Sequence, residues 1–121
     1  NLVNLEVLHL QANQLGGSIP PALGNLVNLV ELDLSDNLIT GSIPAELGNL
    51  NVYTFSLWDN QLSGIIPPEL GNLSNVERLY LADNQLSGPI PSSLSSLSSL
   101  EELALWENQL TGGIPQELGN L

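Results

Sequence analysis

The chain has 121 residues, about one domain, and 42% of them are hydrophobic, which is enough to fill a core. Thirteen acidic residues and one basic residue give a formal charge of −12, which repels nucleic-acid phosphates and anionic membrane surfaces, so we expect no nucleic-acid partner and no membrane contact by this segment. Cysteine is absent, which excludes disulfides and thiolate metal sites, and no apolar run reaches the about 20 residues of a membrane span.

A repeat runs through the whole chain. Leucines at positions 2, 26, 50, 73, 97 and 121 separate five units that share the pattern LxxLxxLxLxxNxLxGxIPxxLGNL. We therefore predict a single array over 1–121, with units 2–25, 26–49, 50–72, 73–96 and 97–120. Leu2 and Leu121 belong to the column of core leucines, so both ends of the array are predicted to be apolar and uncapped.

Each unit opens with a short predicted strand. Apolar residues alternate with others in VLHL, ELDL, TFSL, RLYL and ELAL, which is the period of a strand with one buried face. One strand per unit, always running the same way, predicts a parallel sheet with strands about 4.8 Å apart. The third unit is one residue short and has Phe55 in a leucine slot, but the loss precedes the strand, so we expect the register to survive.

The rest of each unit turns the chain around. An asparagine follows each strand, at positions 13, 37, 60, 84 and 108, where its amide can satisfy backbone groups that have lost ladder partners. Ile-Pro then holds the chain extended, and the short PALGNL-type segment after it predicts one helical or 3₁₀ turn. The fourth unit departs from this pattern, with LSSL at Leu94–Leu97.

With the asparagine, glycine and Ile-Pro slots filled in five units, the chain resembles the plant-type leucine-rich repeat family of receptor-kinase ectodomains and polygalacturonase-inhibiting proteins. The resemblance implies an α/β leucine-rich-repeat solenoid. Its parallel β-sheet would form the concave face, with short 3₁₀ or helical turns and irregular segments on the convex face. The resemblance also implies an extracellular or cell-surface location, and protein, peptide or cell-wall glycan partners.

Both tryptophans and both tyrosines fall among the outward-facing residues of the strand region. One slot holds, in successive units, Gln11, Ser35, Trp58, Ala82 and Trp106, so folding does not require tryptophan there. We expect Trp58 and Trp106 to stand roughly 10 Å apart, with Ala82 between them and Tyr80 alongside. Such a slot suits a peptide side chain or a sugar ring. The alternative is that both rings lie flat on the sheet and only cover their neighbours.

The same outward columns carry most of the charge. Ten of the thirteen acidic residues lie there with Arg78: Glu6, Glu31, Asp33, Asp36, Asp59, Glu77, Asp83, Glu101, Glu102 and Glu107. Like charges in the ladder 36, 59, 83 and 107 would stand near 5 Å apart, about one strand spacing, which favours a basic partner. The alternative is a solvated acidic face that only aids solubility.

These observations predict a non-catalytic protein- or peptide-recognition module without cofactor or metal. The predicted partner-binding residues are Trp58, Tyr80, Trp106, Asp59, Asp83, Glu102, Glu107 and, more marginally, Tyr53 and Glu77. The alternative is a set of structural internal repeats in a longer receptor-kinase-like ectodomain whose ligand binds elsewhere.

Three smaller predictions concern polar side chains. His9, Asp33 and Ser56 share a column but cannot form a catalytic triad, because the aspartate lies between the other two. We expect His9 to hydrogen-bond Asp33, and Arg78 to pair with Glu102. The sequon at Asn72 makes it a candidate glycosylation site.

Overall fold

The computed structural model describes residues 4–121, and the predicted core position of Leu2 lies outside them. One strand from each unit forms a first sheet, ordered β1-β3-β5-β7-β9, with every pair parallel. Its strands are β1 (Val7–His9), β3 (Glu31–Asp33), β5 (Thr54–Ser56), β7 (Arg78–Tyr80) and β9 (Glu102–Ala104). The predicted solenoid with a parallel sheet is confirmed.

Each unit contains a second strand, so the sequence prediction of one strand per unit is wrong. These strands form a second parallel sheet, ordered β10-β8-β6-β4-β2. They are β2 (Gly16–Ser18), β4 (Leu38–Gly41), β6 (Gln61–Ile65), β8 (Gln85–Gly88) and β10 (Gln109–Leu110). They are short, and all but β10 contain glycine, so their alternation is too brief to be recognised as a strand.

The far side of each unit carries one five-residue 3₁₀ helix, as predicted. The helices are η1 (Pro21–Asn25), η2 (Ala45–Asn49), η3 (Pro68–Asn72), η4 (Ser92–Ser96) and η5 (Gln116–Asn120). The proline of each Ile-Pro pair precedes its helix in an extended conformation, for example Pro44 with φ −66° and ψ 135°. The LSSL segment keeps its turn, since η4 forms there.

The core is an aliphatic column between the sheets and the 3₁₀ helices. The middle residues of the central first-sheet strands, Leu32, Phe55 and Leu79, are 0% exposed. Phe55 therefore fills a leucine slot in the core, as predicted, because the slot is covered by neighbouring units on both sides.

Asparagines of the repeated slot link the second to fifth units each to the unit before it. The Nδ2 of Asn60 donates to the carbonyls of Leu57 and Trp58 in its own unit and to that of Leu34 in the preceding unit, at 3.0 to 3.3 Å. Its Oδ1 accepts from the backbone N–H of Ile39 at 3.0 Å. The predicted amide role is confirmed, and it extends across the junction between units.

The shortened third unit loses a turn and keeps its register. Leu26, Leu73 and Leu97 end their helices with ψ between 61° and 70°, whereas Leu50 is extended with ψ 158°. Glu31 still pairs with Thr54, and Thr54 with Arg78, so β5 sits in line with its neighbours. Along residues 4–121 no helix is long and apolar enough to cross a membrane.

Candidate ligand-binding surface

The first sheet places equivalent residues of successive units side by side. Its register joins Asp33 to Ser56, Ser56 to Tyr80 and Tyr80 to Ala104. Because the middle residue of each strand points into the core, the flanking residues point to the outer surface of this sheet. We call this surface the first-sheet face.

A pocket of about 250 Å³ lies on this face. Its lining residues are Ser56, Trp58, Tyr80, Glu102, Ala104 and Trp106. Trp58 and Trp106 each follow their strand by two residues, and the strand between them has Ala82 in the equivalent slot, fully buried. Since only a methyl group occupies that slot, the space between the two indoles stays open.

Hydrogen bonds orient two of the three aromatic side chains. The indole N–H of Trp58 donates to Asp83 Oδ2 at 3.1 Å, and the hydroxyl of Tyr80 donates to Glu102 Oε2 at 2.6 Å. Trp58 is 37% exposed and Trp106 is 55% exposed, so neither ring belongs to the hydrophobic core. Among residues 4–121, the indole N–H of Trp106 has no hydrogen-bond partner.

The hydrogen bond to Glu102 raises the pKa of Tyr80 above the ordinary tyrosine value. Partial burial and the negative charge of Glu102 act in the same direction, while the positive charge of Arg78 opposes them. Tyr80 therefore remains a protonated donor throughout the neutral range.

The remaining predicted partner-binding residues do not line this pocket. Asp83 is connected to the pocket only by its hydrogen bond with Trp58. Asp59, Glu107, Tyr53 and Glu77 are not part of its lining, although Tyr53 is 46% exposed.

The acidic ladder has a backbone cause that the sequence prediction missed. Asp36, Asp59 and Asp83 adopt φ between 50° and 53°, and Ala12 and Glu107 occupy the same left-handed slot with φ of 56° and 51°. Aspartate tolerates this conformation better than most residues, so three of these carboxylates fit the turn regardless of any ligand. The signal was visible as an aspartate directly before the repeated asparagine.

The prediction that His9 hydrogen-bonds Asp33 is wrong. His9 Nε2 lies 2.9 Å from Glu31 Oε2. The short Asp33 side chain instead bonds the segment that follows its strand, where its Oδ1 accepts from the N–H and the hydroxyl of Ser35.

The prediction that Arg78 pairs with Glu102 is also wrong. The Arg78 guanidinium lies 3.8 Å from Glu77 and 4.0 Å from Glu101, at the limit of an ion pair. Glu102 is already bound by the hydroxyl of Tyr80, which faces it from the neighbouring strand.

Two further positions bear on function. Within the described residues, no group of three or more histidine, aspartate or glutamate side chains is arranged to hold a metal ion. Asn72 ends η3 and is exposed, on the opposite side of its unit from the first sheet.

Two family models match the chain. A leucine rich repeat model matches residues 50–110, and a model of two leucine rich repeat copies matches residues 3–50. The chain belongs to the leucine-rich repeat family. A search of the curated proteins found no match.

Solved structures narrow the class to plant-type repeats. The BIR2 ectodomain from Arabidopsis thaliana is 41% identical with a TM-score of 0.87, and the match covers 91% of this chain and 58% of that one. The Arabidopsis receptor kinase HAESA, in complex with the peptide hormone IDA and the co-receptor SERK1, is 40% identical with a TM-score of 0.90, covering 95% and 20%. A plant ice-binding protein is 37% identical with a TM-score of 0.88, covering 93% and 37%. The chain thus spans only part of each relative.

Proposed function

We propose that the chain is a non-catalytic recognition module that binds a protein or peptide through the first-sheet face. The observation that carries this proposal is the pocket between Trp58 and Trp106. The fold accepts glutamine, serine or alanine in the same slot, so the two exposed indoles have no role in folding that those residues could not fill. Exposed aromatic side chains on a rigid sheet are frequent hot spots of binding.

Trp58, Tyr80 and Trp106 are the proposed apolar anchors. The rings of Trp58 and Tyr80 lose little side-chain entropy on binding, because both are already held by hydrogen bonds. The carboxylates of Asp59, Asp83, Glu102 and Glu107 favour a cationic partner, with Tyr53 and Glu77 contributing at the margin. Among the similar proteins, HAESA was solved with a peptide hormone, which supports a peptide as the ligand class.

The proposal includes an extracellular or cell-surface location, supported by the similarity to receptor ectodomains. Asn72 is then a proposed glycosylation site. A glycan there would leave the first-sheet face free, because η3 lies across the unit from β5. A glycan ligand remains compatible with the same aromatic pocket.

Selection of a displayed random peptide library on the chain tests the proposal. Peptides that bind the native chain should lose at least about tenfold in affinity for the Trp58→Ala, Trp106→Ala double variant, which corresponds to about 1.4 kcal/mol. The matched control is Val27→Ala with Ile65→Ala, which removes two exposed apolar side chains away from the pocket.

The outcome also separates this proposal from its alternative. If no library peptide depends on the two tryptophans, the first-sheet face is not a recognition surface. The five units would then be structural repeats of a longer receptor-kinase-like ectodomain whose ligand binds elsewhere.

A second candidate function is ice binding by the second sheet. Residues 14–19, 37–43, 60–66, 84–91 and 108–115 contain no charged side chain. Strand pairing places hydroxyls beside amides, with Thr40 opposite Gln61 and Ser63 opposite Gln85. A regular, uncharged, hydrogen-bonding surface is compatible with an ordered water lattice, and one similar structure is a plant ice-binding protein.

An ice-recrystallisation assay tests this candidate. The native chain should inhibit crystal growth, and Ser63→Lys should abolish the inhibition by placing a charge in the uncharged surface. Glu69→Lys, on η3, is the control and should have no effect. Unchanged crystal growth with the native chain would refute ice binding.

A further inference from the structure

We propose that the pocket between Trp58 and Trp106 receives the guanidinium group of an arginine side chain of the bound peptide. This inference rests on the proposed function and narrows it from a cationic partner to one side chain. It depends on three properties of the pocket, namely its hydrogen-bonding capacity, its charge and its aromatic walls.

The pocket offers hydrogen-bond acceptors, and two of its own donors are already engaged. The hydroxyl of Tyr80 donates to Glu102, and the indole N–H of Trp58 donates to Asp83. Glu102 lines the pocket and retains acceptor sites, since a carboxylate has about four and Tyr80 uses one. A guanidinium carries five N–H donors and no acceptor, so it complements this lining.

The charge of Glu102 is not neutralised within the described chain by an arginine or lysine side chain. Arg78, the chain's one arginine or lysine, lies against Glu77 and Glu101 instead. An anionic ligand would therefore meet an unpaired carboxylate at the rim of the pocket. An apolar side chain would cover that carboxylate without giving it a donor, which is unfavourable.

The aromatic walls distinguish arginine from lysine. Trp58 and Trp106 expose their rings on two sides of the pocket, and tryptophan faces attract cations most strongly among the aromatic side chains. The planar guanidinium stacks on such faces and is weakly hydrated, whereas the lysine ammonium is compact and strongly hydrated. The pocket of about 250 Å³ opens on the surface, so a side chain can enter it while the peptide backbone passes outside.

Titration with N-acetyl-L-arginine amide, followed by NMR of the two ¹⁵N-labelled indole N–H groups, tests the inference. Both indole signals should shift and saturate at millimolar ligand. N-acetyl-L-lysine amide should bind at least about threefold more weakly, and N-acetyl-norleucine amide at least about tenfold more weakly, because they lack the planar fork and the charge respectively.

Variants of the pocket residues test whether arginine amide binds in the pocket. Glu102→Gln should weaken arginine amide binding at least about threefold, and Trp106→Ala should weaken it further, while the backbone spectrum shows that both variants remain folded. Glu69→Gln is the matched control, because it removes one exposed carboxylate from η3 and should leave the affinity unchanged.

Equal binding of arginine and norleucine amides, or unchanged affinity of the Glu102→Gln variant, would overturn the inference. If arginine amide fails while library peptides still bind through Trp58 and Trp106, the recognition function stands and only the arginine assignment is lost. If neither binds, both proposals are refuted.

Discussion

The close approach of neighbouring 3₁₀ helices makes the convex side sensitive to a single added carbon. A Cβ at Gly48 would lie 2.3 Å from the carbonyl oxygen of Glu69, and 3.4 Å is the start of ordinary contact. Replacing Gly48 with alanine therefore requires the backbones of η2 and η3 to separate by roughly 1 Å, as in other overpacked sites.

We expect the Gly48→Ala variant to be destabilised by about 1–3 kcal/mol, the usual cost of overpacking. At roughly 4 °C per kcal/mol for a chain of this size, the melting temperature should fall by about 4–12 °C. Urea unfolding followed by circular dichroism measures the free energy directly, and an unchanged m-value would show that the unfolded state is not altered.

Gly119→Ala is the matched control, because Gly119 occupies the same slot in η5 and no atom lies within 4 Å of its added Cβ. This variant should be neutral or slightly more stable, since alanine restricts the unfolded chain. Ser95 fills the slot in the fourth unit, so a junction can be built around a side chain. The predicted cost applies to a junction built around glycine. Equal stability of the two alanine variants would refute the reasoning.

Three further predictions follow from the geometry. Asn60→Ala should cost about 1–3 kcal/mol in urea unfolding, because it leaves the buried backbone N–H of Ile39 unpaired, whereas exposed Asn13→Ala should cost under about 1 kcal/mol. Glu107→Asn should raise the free energy of unfolding by up to about 1 kcal/mol, because asparagine adopts the left-handed conformation at lower cost than glutamate does. A free energy of unfolding lower than that of the native chain would contradict the strain argument. The Tyr80 ring signal in NMR should titrate at higher pH in the native chain than in Glu102→Gln. The raised pKa means that the Tyr80–Glu102 contact stabilises the fold below the ordinary tyrosine pKa and is lost as pH rises through the raised value, so equal titration would contradict the assignment.

The repeated pattern predicted the first sheet and the 3₁₀ turns, because each element recurs in all five units, and the family resemblance that the pattern carries implied the solenoid. Even the shortened third unit was interpretable, since a deletion before the strand changes a turn at Leu50 and leaves the pairing of Thr54 intact. The second sheet was not predictable in the same way, because β10 has only two residues and glycine interrupts the others.

The side-chain pairs could not be predicted from the sequence, for a different reason. The shared column on adjacent strands suggested the His9–Asp33 pair, but the choice of partner depended on competition from Ser35, which lies two residues further along the chain. Likewise, Glu102 accepts a hydrogen bond from the hydroxyl of Tyr80 and does not pair with Arg78. A column of outward residues defines which groups can meet, and their rotamers and local donors decide which do.

The contrast between the two sheets explains why the tryptophan pocket could nevertheless be placed from sequence. In the first sheet, hydrogen-bonded partners occupy the same slot of successive units, as Ser56 and Tyr80 do, so a column in the aligned repeats is a column in space. In the second sheet the partners are two slots out of step, and Ser63 pairs with Gln85 rather than Ser87. A surface designed by substitution in aligned slots will therefore form straight rows on the first sheet and staggered rows on the second.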